Sequence, residues 1–98
     1  MLVLSNREKT HGSYPSTAKV SQSLKDAMRA SPNWIRLTDV QAESLEMIAV
    51  KLARILCGDP EYLDHWVDVV GYAKLAEPKE PEQDTQEALD LIKAMNHA

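Results

Sequence analysis

The sequence has no phenylalanine, one cysteine and no long apolar run, and each absence excludes a class of protein. Without phenylalanine, the core has to be built from the aliphatic residues Leu, Ile, Val, Ala and Met. The lone Cys57 cannot form an internal disulfide, which argues against a disulfide-stapled secreted mini-protein. The apolar run at residues 1–4 is far shorter than a signal-peptide core or a membrane span of about 20 residues. We therefore expect a cytoplasmic protein that does not bind membranes.

The length and the charge limit the number of domains and the classes of ligand. A chain of 98 residues has the size of one domain. Its 15 acidic and 11 basic residues give a formal charge of −4, whereas a surface that binds nucleic acid directly is basic. A nucleotide stays compatible with this balance, because nucleotides commonly bind through a metal ion that carboxylates hold.

The pattern of apolar residues predicts an all-α fold, a small helical bundle built on an antiparallel helical hairpin. Residues 1–15 mix charge with Gly and Pro and have no sustained periodicity, so we interpret them as an irregular arm. A first helix is predicted to begin near Ser16 or Thr17, both good N-caps. It ends before Pro32, because the residue that precedes a proline disfavours helix.

The hairpin is predicted by signals at both ends of its loop. Thr38 and Gln41 form a capping box at the start of a second helix that runs to Cys57. Gly58 suits a left-handed position after this helix, and Asp59 is expected to cap a third helix from about residue 61 to 76 or 77. So short a loop makes the two helices antiparallel neighbours.

The whole chain is predicted to divide into three parts. A helical domain covers residues 1–77, a proline-containing hinge covers 78–83, and a C-terminal helix covers 84–98. About a dozen residues are marginal as an isolated helix, so the last helix is expected to dock on its own domain or on a second subunit. The second helix is apolar on two sides, which predicts a dimer or a tetramer.

Carboxylates occur on both helices of the predicted hairpin. Glu43 and Glu46 lie within one turn of the second helix, and Asp64 and Asp68 share a face of the third. Carboxylates from two facing helices are what a Mg²⁺ site requires. In the alternative interpretation the glutamates are solvated residues early in a helix, and Asp64 forms an ordinary salt bridge with Arg54.

The order of these carboxylates resembles the MazG-like, all-α nucleoside triphosphate pyrophosphatase superfamily, whose pattern is ExxE, a spacer and ExxD. The resemblance implies an oligomeric helical bundle that uses Mg²⁺ to hydrolyse nucleoside triphosphates to monophosphate and pyrophosphate. Glu43, Glu46 and Asp68 match three of its four carboxylates and would be the catalytic and metal-binding residues. His65 stands where the superfamily has Glu, so Asp64 or His65 would complete the metal shell.

The chain also resembles a family of small phage and prophage proteins. The resemblance rests on the segments 7–12 (REKTHG), 49–55 (AVKLARI), 58–60 (GDP) and 65–73 (HWVDVVGYA). It implies a viral or prophage origin, and hence the cytoplasm of a bacterial host.

Four further side chains are candidate substrate contacts, each with a structural alternative. Lys51 and Arg54 flank the carboxylates and would contact phosphate, or else Lys51 covers apolar surface and Arg54 pairs with Asp64. His11, in the arm, would close over a substrate or belong to a mobile surface segment. Tyr72 would stack on a base or lie at a subunit interface.

Three residues of the third helix have a second interpretation. His65 would be a metal ligand or an acid–base group, or a surface histidine bonded to a neighbouring carboxylate. Trp66 is expected in the core, and Gly71 is most simply explained by a close approach of two helices.

Two functional hypotheses follow from the sequence. The first is a phage-derived nucleotide-binding protein, in its sharpest form a Mg²⁺-dependent pyrophosphohydrolase of the MazG-like type. The second is a non-catalytic phage protein that binds or inhibits a host protein through its third and C-terminal helices.

Overall fold

The computed structural model describes the backbone of residues 2–79 and 83–96 and the side chains of residues 6–79 and 89–96. These residues form helices and no strand, which confirms the all-α prediction. The elements in chain order are α1 (Leu2–His11), α2 (Tyr14–Arg29), a 3₁₀ turn (Trp34–Arg36), α3 (Asp39–Cys57), α4 (Leu63–Ala76) and α5 (Gln83–Asn96).

Helix α3 is the central element of the bundle. Its capping box is formed as predicted: Gln41 N donates to Thr38 Oγ1, and Thr38 N donates to Gln41 Oε1, each at 3.1 Å. The helix packs against α1, α2 and α4, and its close antiparallel packing with α4 confirms the predicted hairpin. The buried apolar core of the described residues lies on α3, at Ala49, Ala53 and Ile55.

The N-terminal segment differs from the predicted irregular arm, because residues 2–11 form α1. This helix carries no apolar stripe, so periodicity gives no signal for it. It ends at Gly12, whose N–H donates to Glu8 O at 2.8 Å and whose φ is +80°. Glycine adopts this left-handed conformation without the steric strain of other residues.

Helix α2 begins earlier than the prediction at Ser16 or Thr17. Ser13 is the N-cap, and its side chain accepts from Ser16 N. Pro15 lies in the first turn, where its missing N–H has no helical partner to lose. The proline is therefore part of the helix start and not the end of an arm.

The turn between α3 and α4 differs from the prediction in two respects. Gly58 has φ −110° and is not left-handed. The Asp59 carboxylate accepts from Glu61 N at 2.9 Å, so it caps a local turn. As a consequence α4 begins at Leu63, two residues later than expected, and its N-cap Tyr62 makes no side-chain capping bond to the helix backbone.

Helix α4 turns a different face to α3 than its apolar residues suggest. His65, expected at the surface, is 1% exposed. Trp66, expected in the core, is 49% exposed, and its Nε1 donates to Pro60 O at 2.7 Å. The helix is thus oriented by polar contacts at its start, which draw the histidine inward and leave the tryptophan at the surface.

The predicted domain boundaries fall partly outside the described residues. Helix α4 ends at Ala76 and α5 spans Gln83–Asn96, whereas residues 80–82 of the predicted hinge and residues 97–98 lie outside the description. In the part of the chain that is described, no helix combines the length and the apolarity that crossing a membrane requires.

Removing the α3 cap should destabilise the protein measurably. We expect Thr38→Ala to lower the free energy of unfolding by about 1 kcal/mol, because the Gln41 N–H loses its acceptor. Urea denaturation followed by circular dichroism measures the change. Thr38→Ser keeps the hydroxyl and should retain most of the stability, and equal losses in both variants would contradict a capping role.

Candidate functional site

The C-terminus of α1 is joined to the turn between α3 and α4 through one carbonyl oxygen. Asp59 N donates to Thr10 O at 3.1 Å, and His65 Nε2 lies 2.9 Å from the same oxygen. Because a carbonyl oxygen only accepts, His65 carries its proton on Nε2 in this bond. We call this set of contacts the Thr10 junction, and it connects residues 55 positions apart in the chain.

Two glycines allow the backbones to approach at the Thr10 junction. A Cβ at Gly12 would lie 2.7 Å from the carbonyl carbon and oxygen of Cys57. A Cβ at Gly58 would overlap Thr10 O and lie 2.7 Å from Gly12 N. Gly58 is therefore required by the packing of α1.

Three rings pack together beside the Thr10 junction. The His11 and His65 rings meet edge to face with centroids 4.6 Å apart. The Tyr62 ring lies 4.8 Å from the His65 ring and 5.7 Å from the His11 ring. His11 Nδ1 is also 2.5 Å from the Thr10 hydroxyl, so His11 contacts three neighbouring side chains at the end of α1.

The electrostatics around this cluster of rings are asymmetric. Burial and the nearby His65, Arg7, Arg54 and Lys51 lower the pKa of His11 below 6.5. On the other side of the cluster, a hydrogen bond with the Asp64 carboxylate and its negative charge raise the pKa of Tyr62. The side of His11 that faces α3 is therefore electropositive.

A cleft opens on that electropositive side, between α1, α2 and α3. Its volume is about 470 Å³, which lies in the range of small-molecule sites. The buried hydroxyl residues Thr17 and Ser21 line it. We call it the basic cleft, and its charged and aromatic lining consists of Arg7, Glu8, His11, Tyr14, Lys25 and Arg54.

The basic cleft has more positive than negative charge, although the whole chain is acidic. Arg7, Lys25 and Arg54 line it together with one carboxylate, Glu8. None of the ion pairs among the described residues involves these three cations. Uncompensated cations around a concave site attract an anionic ligand.

None of the predicted metal-binding carboxylates lines the basic cleft. Glu46 pairs with Arg29 at the end of α2. Asp68 Oδ2 lies 3.0 Å from Lys51 Nζ, and Glu43 is exposed. Within the described residues no three His, Cys, Asp or Glu side chains are grouped as metal ligands. A shared Mg²⁺ ion at these carboxylates stays a prediction.

The structure brings together some of the predicted site residues and not others. His11 and Arg54 line the basic cleft, while Lys51 turns to Asp68 on α4. His65 is bonded to Thr10 O in the Thr10 junction. Tyr72 is half-buried, seven residues after His65, and so lies on the same face of α4.

The cleft residues Arg7, Tyr14 and Lys25 were missing from the predicted site. Arg7 belongs to the segment 7–12 that carries a resemblance, but an arm with no assigned structure gives no position for its side chain. Tyr14 and Lys25 are 11 residues apart on α2, which is three helical turns. Their shared face could have been recognised only with the correct start of α2.

Comparison with known proteins gives a family but no annotated relative. A family model described as "Domain of unknown function (DUF6378)" matches residues 1–79. No curated protein and no solved structure matches the chain significantly. The matched residues include the Thr10 junction and the basic cleft. The phage-family and MazG-like resemblances are not tested by this match and stay predictions.

The glycine requirement at the Thr10 junction can be tested directly. We expect Gly58→Ala to lower the free energy of unfolding by about 1–3 kcal/mol, because the methyl group would overlap the backbone of α1. Chemical denaturation measures the loss. Ser23→Ala, a change on the exposed side of α2, should alter stability by less than about 0.5 kcal/mol. A Gly58→Ala protein as stable as the Ser23→Ala control would contradict the assignment.

The lowered pKa of His11 predicts a loss of stability in mild acid. Between the pKa of the folded state and 6.5, the unfolded chain binds more protons at His11 than the folded chain does. The contribution of neutral His11 is therefore complete above pH 6.5 and is lost as the pH falls through the folded-state pKa. We expect the urea concentration at the midpoint of unfolding to decrease as the pH is lowered from about 8 to about 5.

The matched variant is His11→Gln, which cannot titrate. Its urea midpoint should fall less over the same pH range than that of the native chain. An NMR titration of His11 should give a midpoint below 6.5. An equal fall in both proteins, or an NMR midpoint above 6.5, would contradict the prediction.

Proposed function

The chain belongs to the DUF6378 family, and we propose that this family member binds a nucleotide through its phosphates in the basic cleft. One observation carries the proposal: Arg7, Lys25 and Arg54 line a cleft of about 470 Å³, and none of them is in an ion pair among the described residues. One guanidinium group can donate two parallel hydrogen bonds to the oxygens of a phosphate, which makes arginine the favoured residue for such sites.

The start of α2 adds to the attraction for phosphate. Tyr14, the first residue of α2, lines the basic cleft. The positive end of the helix dipole at this position favours an anion. The helix start and the three cations therefore act on the same ligand.

The size of the basic cleft and the position of Tyr14 support a nucleotide over a free phosphate ion. A volume of about 470 Å³ is far larger than one phosphate group needs. The Tyr14 side chain is 83% exposed at the edge of the cleft, where it can stack on a base. The phosphates would lie among the cations, with the base toward Tyr14.

Hydrolysis with Mg²⁺ is a separate proposal that rests on the MazG-like resemblance. Glu46 and Asp68 are paired with Arg29 and Lys51 and would have to leave these partners to hold a metal ion. The phage origin and the cytoplasm of a bacterial host rest on resemblance in the same way. Binding of a host protein is the alternative function, which the exposed apolar residues of α4 support.

Calorimetric titration with a panel of nucleoside mono-, di- and triphosphates tests the nucleotide proposal. We expect binding in EDTA that strengthens with the number of phosphates and weakens with salt. Arg54→Ala and Arg7→Ala should each weaken binding about tenfold or more, because each removes a charged hydrogen bond of about 1.5–3 kcal/mol. Tyr14→Ala should weaken the binding of a nucleoside triphosphate but leave the binding of inorganic triphosphate unchanged.

Arg36→Ala is the matched control for the arginine variants. Arg36 is exposed on the 3₁₀ turn and does not line the basic cleft, so its removal should leave nucleotide binding unchanged. Absence of binding at millimolar nucleotide, or equal weakening in all three arginine variants, would contradict a site in the cleft.

Pyrophosphate release measured with added Mg²⁺ tests hydrolysis independently of binding. If hydrolysis occurs, Glu46→Gln and Asp68→Asn should lower the rate of release while binding in EDTA persists. Tight binding without release would support the nucleotide-binding function and refute the hydrolase proposal.

A further inference from the structure

Helix α4 has an apolar face that nothing in the described part of the chain covers. Leu63, Trp66, Val67 and Val70 are spaced by three or four residues and so share one side of the helix. Their exposed fractions lie between 49% and 68%. We call these four residues the outer α4 face, which is opposite the side where His65 meets the Thr10 junction.

The protomer exposes more surface than a monomer of its mass. A folded monomer of 11.0 kDa has about 5,600 Å² of accessible surface by the empirical scaling with mass. This chain has 7729 Å², roughly 2,100 Å² more. A standard protein–protein interface buries about 800 Å² on each partner. The excess, which includes the exposed surface of α5, is large enough to contain an interface of this size.

The small core of the protomer also requires additional packing. The buried apolar residues in the described part of the chain are Ala49, Ala53 and Ile55, and two of these three have only a methyl side chain. Burial of a large apolar side chain stabilises a protein by about 1.5–3 kcal/mol. A partner that covers the outer α4 face would supply the missing burial. A second copy of the chain is present whenever the protein is, so it can always act as this partner.

Charges at the two ends of α4 favour the same arrangement. Asp64 lies in the first turn and Lys74 in the last turn, where Lys74 Nζ is also 3.4 Å from Glu77 Oε1 in an exposed ion pair of little strength. When two copies of α4 lie antiparallel, the acidic turn of one is beside the basic turn of the other, and the helix dipoles are opposed. A two-fold axis makes one patch complementary to itself in this way.

Gly71 supplies an independent observation on α4. It lies inside the helix, where glycine costs about 1 kcal/mol relative to alanine. No atom of the protomer lies within 4 Å of the position a Cβ would take, so nothing within the chain requires a glycine. A second helix that crosses close to this position would explain it.

We propose that the outer α4 face is the contact surface of a homodimer, in which α4 of one protomer packs antiparallel to α4 of its partner near Gly71. The proposal does not depend on nucleotide binding, because the basic cleft lies between α1, α2 and α3.

Sedimentation equilibrium of the full chain tests the dimer. We expect a dimer at micromolar concentration, and Val70→Glu should raise the dissociation constant at least about 100-fold, because it places two unpaired carboxylates in an apolar contact. Ile35→Glu is the matched control: Ile35 is 88% exposed and lies on the 3₁₀ turn, so this variant should stay dimeric. Far-UV circular dichroism checks that both variants are helical.

A cross-linking measurement keeps the test decisive if Val70→Glu does not fold. Gly71→Cys in a Cys57→Ser chain should be joined to a second copy by a short bis-maleimide reagent. Ser23→Cys in the same background, on the exposed side of α2, should not be joined.

Three outcomes would overturn the proposal. The first is a native chain that is monomeric at about 100 µM. The second is a dimer that persists in a folded Val70→Glu variant. The third is a dimer lost in Ile92→Glu but kept in Val70→Glu, which would assign the contact to α5.

Discussion

The carbonyl oxygen of Thr10 is the contact on which the arrangement of the whole helical domain depends. It accepts from Asp59 N in the α3–α4 turn and from His65 Nε2 on α4. One oxygen thereby fixes α1 relative to both helices of the hairpin. Because α1 supplies Arg7 and His11 to the basic cleft, this contact helps to fix the shape of the cleft. A helix without an apolar stripe is kept in place by polar bonds at its end.

This contact also explains how a chain of charge −4 maintains a positively charged site. Close packing at Gly12 and Gly58 brings the cationic α1 against Arg54 of α3. Burial and the neighbouring positive charges lower the pKa of His11, so the neutral imidazole is favoured and adds no positive charge to this cluster. Glu8 is the one carboxylate that lines the basic cleft, whereas Asp68 is paired with Lys51. An anionic ligand would relieve the remaining repulsion.

The sequence was informative where a local rule decides the structure. The capping box of Thr38 and Gln41 correctly predicted the start of α3, and the short loop correctly predicted its antiparallel partner. Helix α1 was missed because helix prediction relies on an apolar stripe that α1 lacks. The candidate site was predicted only at His11 and Arg54, because the cleft depends on the Thr10–His65 contact, which spans 55 positions. No spacing rule relates residues so far apart.

The basic cleft and the outer α4 face are separate surfaces that share one support. Val50 and Arg54 lie one turn apart on the side of α3 that lines the cleft, whereas Lys51 points to α4. A ligand and a second protomer would therefore not compete for the same residues. Both depend on the position of α4, since its inner face holds His65 against Thr10. If a partner that covers α4 stabilises this contact, it favours the cleft, and by linkage a ligand in the cleft then favours the partner to the same extent.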